Sequence, residues 1–222
     1  MGGRFYLLDF CLIFFWNNKG LFELTVIVAL KDKERNRIIM GADNQGTSGQ
    51  ICIKGGKKII CLDIPIVDGY GDVISFEKVY IGLTGNYWLV SYLEYGFDIP
   101  PMDCNDDFLY YLYNSFFILL SNNLMERSLV SNDGNILDTE SGMLMVFKGK
   151  IYQVFYNLSV MECVEDYAVE GTGFEVAIGS LHTNLNFHKG MDYVDIVKQA
   201  ILSCADKTIY CDDEIDLEVI KG

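Results

Sequence analysis

Few residue types in this chain are suited to chemistry. Only two histidines occur, His182 and His188, which is little material for a His-rich metal site or a His-based triad. The seven cysteines, at 11, 52, 61, 104, 163, 204 and 211, are scattered and include no C-x-x-C pair. They read as reduced, mostly buried thiols of a cytosolic protein, since a disulfide framework would cluster them. Acidic runs at 103–107 and 212–216 (DDEID) lack the calcium-loop spacing and read as solvated turns. GTGFEVAIG (171–179) does not have the G-x-G-x-x-G spacing of a dinucleotide loop. What remains is a set of separated residues: Thr25 opening TVIVAL, Asp43 in GADNQGTSG, Lys58 in KGGKKII, Gly85 closing IGLTG, and Thr172 between two glycines. Taken singly, each has an ordinary reading as a β-branched strand residue, a turn aspartate, a solvated lysine or a strand-end glycine.

Positioning such residues requires a scaffold, and the composition allows one. The 222 residues are 50% hydrophobic and 14% aromatic, enough for a substantial core and against wholesale disorder. Seventeen Lys and Arg against 31 Asp and Glu give a net charge of −14. A phosphate-binding protein normally shows a basic face, so nucleic acid is not expected as a partner. β-patterned runs fall at 25–31, 37–43, 51–54, 57–64 and 78–85, the first two flanking the turn DKERN as in a hairpin. Helical spacing follows over 86–95 and 106–124, where Leu109, Leu112, Phe116, Leu119 and Leu120 recur on one face. A polar loop is expected over 131–142, then a hairpin at 142–157, helices at about 173–187 and 191–205, and closing strands at 208–211 and 217–221. Grouped strands alternating with grouped helices predict an α+β domain, an αββα sandwich of two antiparallel sheets covered by helices.

Residues 5–16, FYLLDFCLIFFW, are too short to span a bilayer, which takes about 20 apolar residues, and no small-x-small cleavage site follows them. Residues 1–24 are expected to be a leader, a propeptide cut after Leu24, or the product of a mis-assigned start if translation begins at codon 24. An extra hydrophobic element or a membrane anchor are the other readings. The domain proper is expected to occupy 25–222.

From Thr25 onward the chain resembles the threonine-type N-terminal-nucleophile hydrolases, in particular HslV and the proteasome β subunits. TVIVAL is similar to their mature N-terminal strand, GADNQGTSG to the Asp ending their second strand, KGGKKII to their Lys-bearing segment, and IGLTG to a strand whose final glycine N–H faces an oxyanion. Gly171-Thr172-Gly173 is similar to their G-S-G, and ADKTIYC (205–211) to their C-terminal segment, with Ile209 where proteasome β subunits carry Ser. The resemblance implies a threonine endopeptidase acting in a homo-oligomeric ring in the cytoplasm, on a peptide or protein substrate, with an AAA+ unfoldase as partner by analogy with HslV. It implies Thr25 as nucleophile, its own α-amino group as base, Lys58 holding that amine neutral, Asp43 orienting Lys58, Gly85 as oxyanion donor and Thr172 as a hydroxyl near the amine. The turn before Lys58 is slightly short for the family, which leaves Lys57 as a substitute. No cofactor is required, and a structural cation on the carbonyls of Ala205, Thr208 and Cys211 is a further implication. An internal Thr25 has an amide where the base should be, so catalysis requires residue 25 to be exposed. A chain that stays unprocessed would instead be an inactive ring subunit of the same fold.

Overall fold

The computed structural model describes residues 25–222 except 49, 50, 128, 130, 134, 135, 189 and 210; the expected leader lies outside the described residues. In chain order the strands are β1 (Ile27–Asp32), β2 (Arg37–Asp43), β3 (Gln45–Ser48), β4 (Ile51–Lys54), β5 (Ile59–Val67) and β6 (Val73–Leu83). Helix α1 (Tyr87–Tyr95) and strand β7 (Met102–Asp103) precede a helical run: α2 (Phe108–Tyr111), a π-turn (Leu112–Phe116) and α3 (Phe117–Glu126). Then come β8 (Ser131–Asp133), β9 (Ile136–Asp138), β10 (Met143–Phe147), β11 (Lys150–Val154), β12 (Val160–Glu162) and β13 (Tyr167–Glu170). Helices α4 (Phe174–Phe187) and α5 (Tyr193–Lys207) and strand β14 (Ile215–Lys221) complete the fold.

Two sheets carry the architecture. One has the order β13-β1-β2-β14 and the other β12-β11-β10-β6-β5-β7; β3-β4 and β8-β9 are separate hairpins. Alternation along β1 explains the layering, because successive side chains of a strand point to opposite faces. Val26, Val28 and Leu30 pack against Ala177 and Leu181 of α4 and Ile196, Val197 and Ile201 of α5. Ile27 and Ala29 point the other way, into a layer shared with Leu144, Val146 and Ile151 of the second sheet. The outer face of that sheet, with Ile60, Leu62, Ile64 and Ile81, is covered by α1, α2 and α3. The result is the four-layer αββα sandwich.

Glycine allows two close approaches between layers. A Cβ on Gly82 would lie 2.7 Å from Ile27 Cγ2 across the sheets, and one on Gly41 would lie 2.7 Å from Val197 beneath α5. Phe108, Tyr111, Phe116 and Phe117 are core residues, whereas Tyr110 is 57% exposed. No described helix is long and apolar enough to cross a membrane.

Several expectations need correction. Among the described residues of 208–211 no strand forms: α5 runs to Lys207, and Thr208 donates its N–H back to the Cys204 carbonyl at 2.8 Å, turning the corner. The loop expected at 131–142 contains the β8-β9 hairpin. β12 and β13 were not anticipated; they complete the edges beside β11 and β1. The second sheet is antiparallel except at its edge, where β7 runs parallel to β5.

Candidate functional site

The site forms where β1 begins and β2 ends. β1 and β2 pair antiparallel with Ile27 opposite Ala42, and the Asp43 N–H donates to the Val26 carbonyl at 3.3 Å. Register alone therefore sets Asp43 beside Thr25. Lys58 enters from the second sheet, immediately before β5, and its carbonyl accepts the Leu83 N–H at the end of β6 at 3.0 Å. Beyond the end of β13, Gly171, Thr172 and Gly173 pass Thr25 on the way into α4.

Three side chains meet there. The Thr25 hydroxyl donates to Asp43 Oδ1 at 2.6 Å. Lys58 Nζ donates to the same carboxylate oxygen at 2.9 Å and to Thr25 Oγ1. Thr25 is 3% exposed, Asp43 0% and Lys58 7%, so this is a hydroxyl, a carboxylate and an ammonium in a largely water-free setting. Isolated buried charges are costly, and the surroundings of Asp43 offset that cost. It accepts backbone N–H groups from Val26 at 2.9 Å, Gln45 at 3.1 Å and Asp212 at 3.4 Å. Burial lowers the Lys58 pKa from the ordinary lysine value, while the charge of Asp43 and its hydrogen bond oppose that shift.

The third strand of contacts reaches the backbone of Thr25. Its N–H donates to Thr172 Oγ1 at 3.3 Å, and the Thr172 hydroxyl donates to the Thr25 carbonyl at 3.3 Å. The Gly173 N–H donates to the same carbonyl at 3.2 Å. Gly171 has φ +99°, and a Cβ there would lie 2.5 Å from the Thr25 carbonyl oxygen; only glycine suits both the conformation and the approach.

Thr25, Asp43, Lys58 and Thr172 are thus in one hydrogen-bonded cluster. Gly85 stands apart: it follows β6 by two residues, takes φ +85°, and among the described residues no hydrogen bond joins it to Thr25. Lys57 points elsewhere, half-exposed and 3.8 Å from Glu94. Asp212 belongs by sequence to an acidic run expected to be a solvated turn, but it is 6% exposed, braces Asp43 through its N–H, and pairs with Lys54 at 3.0 Å. Its part in the site is a backbone contact, which no sequence signal marks.

Ala205 lies in the last turn of α5, where a helix leaves carbonyls without internal partners, and Thr208 and Cys211 occupy the corner that follows. Backbone carbonyls are the kind of donor a hard cation takes. Among the described residues no group of three His, Cys, Asp or Glu side chains could hold a metal.

No protein-family model matches the chain, and neither does any curated protein. Solved structures do resemble it. BPH from Thiobacillus denitrificans, in complex with epoxomicin, is 16% identical with a TM-score of 0.67, covering 89% of this chain and 98% of that one. Eukaryotic HslV from Trypanosoma brucei is 16% identical with a TM-score of 0.58, covering 89% and 100%. Anbu, an ancestral beta-subunit from Yersinia bercovieri, is 12% identical with a TM-score of 0.62, covering 89% and 82%. The fold of this chain is the proteasome-like fold of HslV, BPH and Anbu.

Proposed function

We propose that this chain is a threonine endopeptidase whose nucleophile is Thr25, active once residue 25 is the first of the chain. The observation that carries this reading is the buried contact of the Thr25 hydroxyl with both Asp43 and Lys58. A hydroxyl is a poor nucleophile until a base takes its proton. A free α-amino group has an unperturbed pKa of about 7.7–8.0, close to working pH, and in Thr25 it sits on the carbon next to the one bearing the hydroxyl. The positive charge of Lys58 disfavours protonation of that amine and so keeps it a base. Asp43 holds the lysine in place, and Thr172, already on the Thr25 nitrogen, positions the amine. Attack on a peptide carbonyl gives an ester on Thr25 Oγ and releases the amine product; water then hydrolyses the ester. Gly85 supplies the oxyanion donor, a contact made only as charge develops, and loss of such a donor typically costs about 3 kcal/mol.

Self-assembly into rings, an AAA+ unfoldase as partner and a cytoplasmic location belong to the same proposal and rest on the likeness to HslV. A cation at Ala205, Thr208 and Cys211 would brace the corner behind Asp212. The test is a peptide–fluorophore assay on the chain beginning at Thr25. Turnover that disappears in Thr25→Ala supports the reading, and turnover retained in that variant ends it. Persistence of residues 1–24 on protein isolated from its host would favour an unprocessed structural subunit.

A further inference from the structure

Two thiols lie directly behind the site and the chemistry above does not use them. Cys204, on the inner face of α5, is fully buried, and Cys211, past the corner, is 6% exposed. A Cβ placed on Gly173 would lie 3.2 Å from both sulfurs, which sets the two thiols side by side against that glycine. Cys204 Sγ also donates to the Gly173 carbonyl at 3.2 Å. Each partner of the pair is therefore tied to a site contact: Cys211 is followed by Asp212, whose N–H holds Asp43, and Cys204 abuts Gly173, whose N–H holds the Thr25 carbonyl. Cys211 also lines an open cleft of roughly 570 Å³ together with Gln45, Lys54, Ala205 and Asp212, so a small oxidant can reach it.

We propose that Cys204 and Cys211 are an oxidation site, forming a disulfide that loosens the Thr25 site by drawing Asp212 and Gly173 off their partners. The two thiols give up two protons and two electrons as the S–S bond forms. Hydrogen peroxide accepts them, its O–O bond breaking to leave two waters. A disulfide brings its sulfurs to about 2.05 Å, closer than two free thiols can approach, and the Cys204 S–H that bonded to Gly173 no longer exists. The chain must move at one or both of the tied residues. A dithiol reductant reverses the step by exchange.

The full chain treated with hydrogen peroxide, then digested with trypsin without reduction, tests the site directly. Cleavage at Lys198, Lys207 and Lys221 separates the two cysteines. The expected product is peptide 199–207 linked to peptide 208–221, lost on dithiothreitol treatment and absent in Cys204→Ser. Amide hydrogen exchange of segments 171–175 and 211–215 is expected to be faster in the oxidised chain. Cys204 and Cys211 remaining open to alkylation after unfolding, under oxidation that consumes the exposed Cys61 and Cys104, would overturn the proposal. So would linkage of either to another cysteine, or a disulfide that leaves exchange in both segments unchanged. The consequence for turnover rests on the peptidase reading: in the chain beginning at Thr25, oxidation should lower turnover on the order of tenfold to a hundredfold, and Cys204→Ser should resist that loss. No turnover even in the reduced chain would refute the peptidase reading and leave linkage and exchange to decide this one.

Discussion

At the scale of single residues the site depends on one carboxylate shared by two side-chain donors, Thr25 and Lys58. Asp43→Asn keeps the shape but removes the charge that holds Lys58, so kcat in the chain beginning at Thr25 should fall about 10²- to 10⁴-fold, as for loss of an acid–base partner. Lys58→Met leaves Asp43 buried without its cation, and removing one member of a buried pair costs about 3–5 kcal/mol; the midpoint of urea denaturation reads it. The pH profile carries a sign. The amine must be neutral and Lys58 charged, so kcat/KM should rise as the amine loses its proton. It should fall again as Lys58 deprotonates, below the ordinary lysine value of 10.5 because burial lowers it. Stability moves oppositely on that alkaline limb. The unfolded chain binds the Lys58 proton more tightly than the folded one, so the burial penalty is relieved as pH climbs from the folded toward the unfolded pKa. A profile lacking an alkaline decline below 10.5 would contradict the assignment of Lys58.

At the scale of elements, the β1-β2 register places Asp43, the entry to β5 places Lys58, and the turn from β13 into α4 places Thr172. The turn is the most exacting. Gly171→Ala forces a Cβ within 2.5 Å of the Thr25 carbonyl at φ +99°, and backbone strain of that kind costs roughly 1–3 kcal/mol. Thermal unfolding should register the loss, and turnover should drop by more than the unfolded fraction explains, because the strain falls on Thr25. An unchanged midpoint would mean that the turn is not held against β1. Much of this was legible in sequence. Alternation in TVIVAL and RIIMGAD marks β1 and β2, and Gly-Thr-Gly marks the turn. The corner after α5 departs from the expected strand because TIYC has strand composition, while Thr208 is committed to the helix end, bonding to the Cys204 carbonyl through both N–H and hydroxyl. The burial of Asp212 is hidden from sequence for a related reason, since an N–H that braces a carboxylate has no residue signature.

At the scale of the molecule, the two sheets must stay in fixed relation, because Thr25 and Asp43 come from one and Lys58 from the other. Gly82 and Ile27 set that distance. Gly82→Ala places a Cβ 2.7 Å from Ile27 Cγ2, an overpacking expected to cost about 1–3 kcal/mol. Ile27→Ala opens space at the same point, so the double variant should be less destabilised than the sum of the singles. Additive losses by denaturant titration would show that the sheets do not meet there. The layering followed from grouped strands and helices in the sequence. β12, β13 and the parallel β7 did not, because edge strands of two to four residues carry too little pattern to stand out from loops.

The proposed peptidase activity turns on the nitrogen of Thr25, and a trapped ester reads it most directly. The chain beginning at Thr25, and a second with one extra residue ahead of it, are mixed with an activated peptide ester, quenched in acid, and their N-terminal peptides weighed. An acyl adduct is expected on the peptide that starts with Thr25 and none on the extended peptide, where the Thr25 nitrogen is an amide. Equal labelling of the two chains, or an adduct on any other residue, would contradict the proposal.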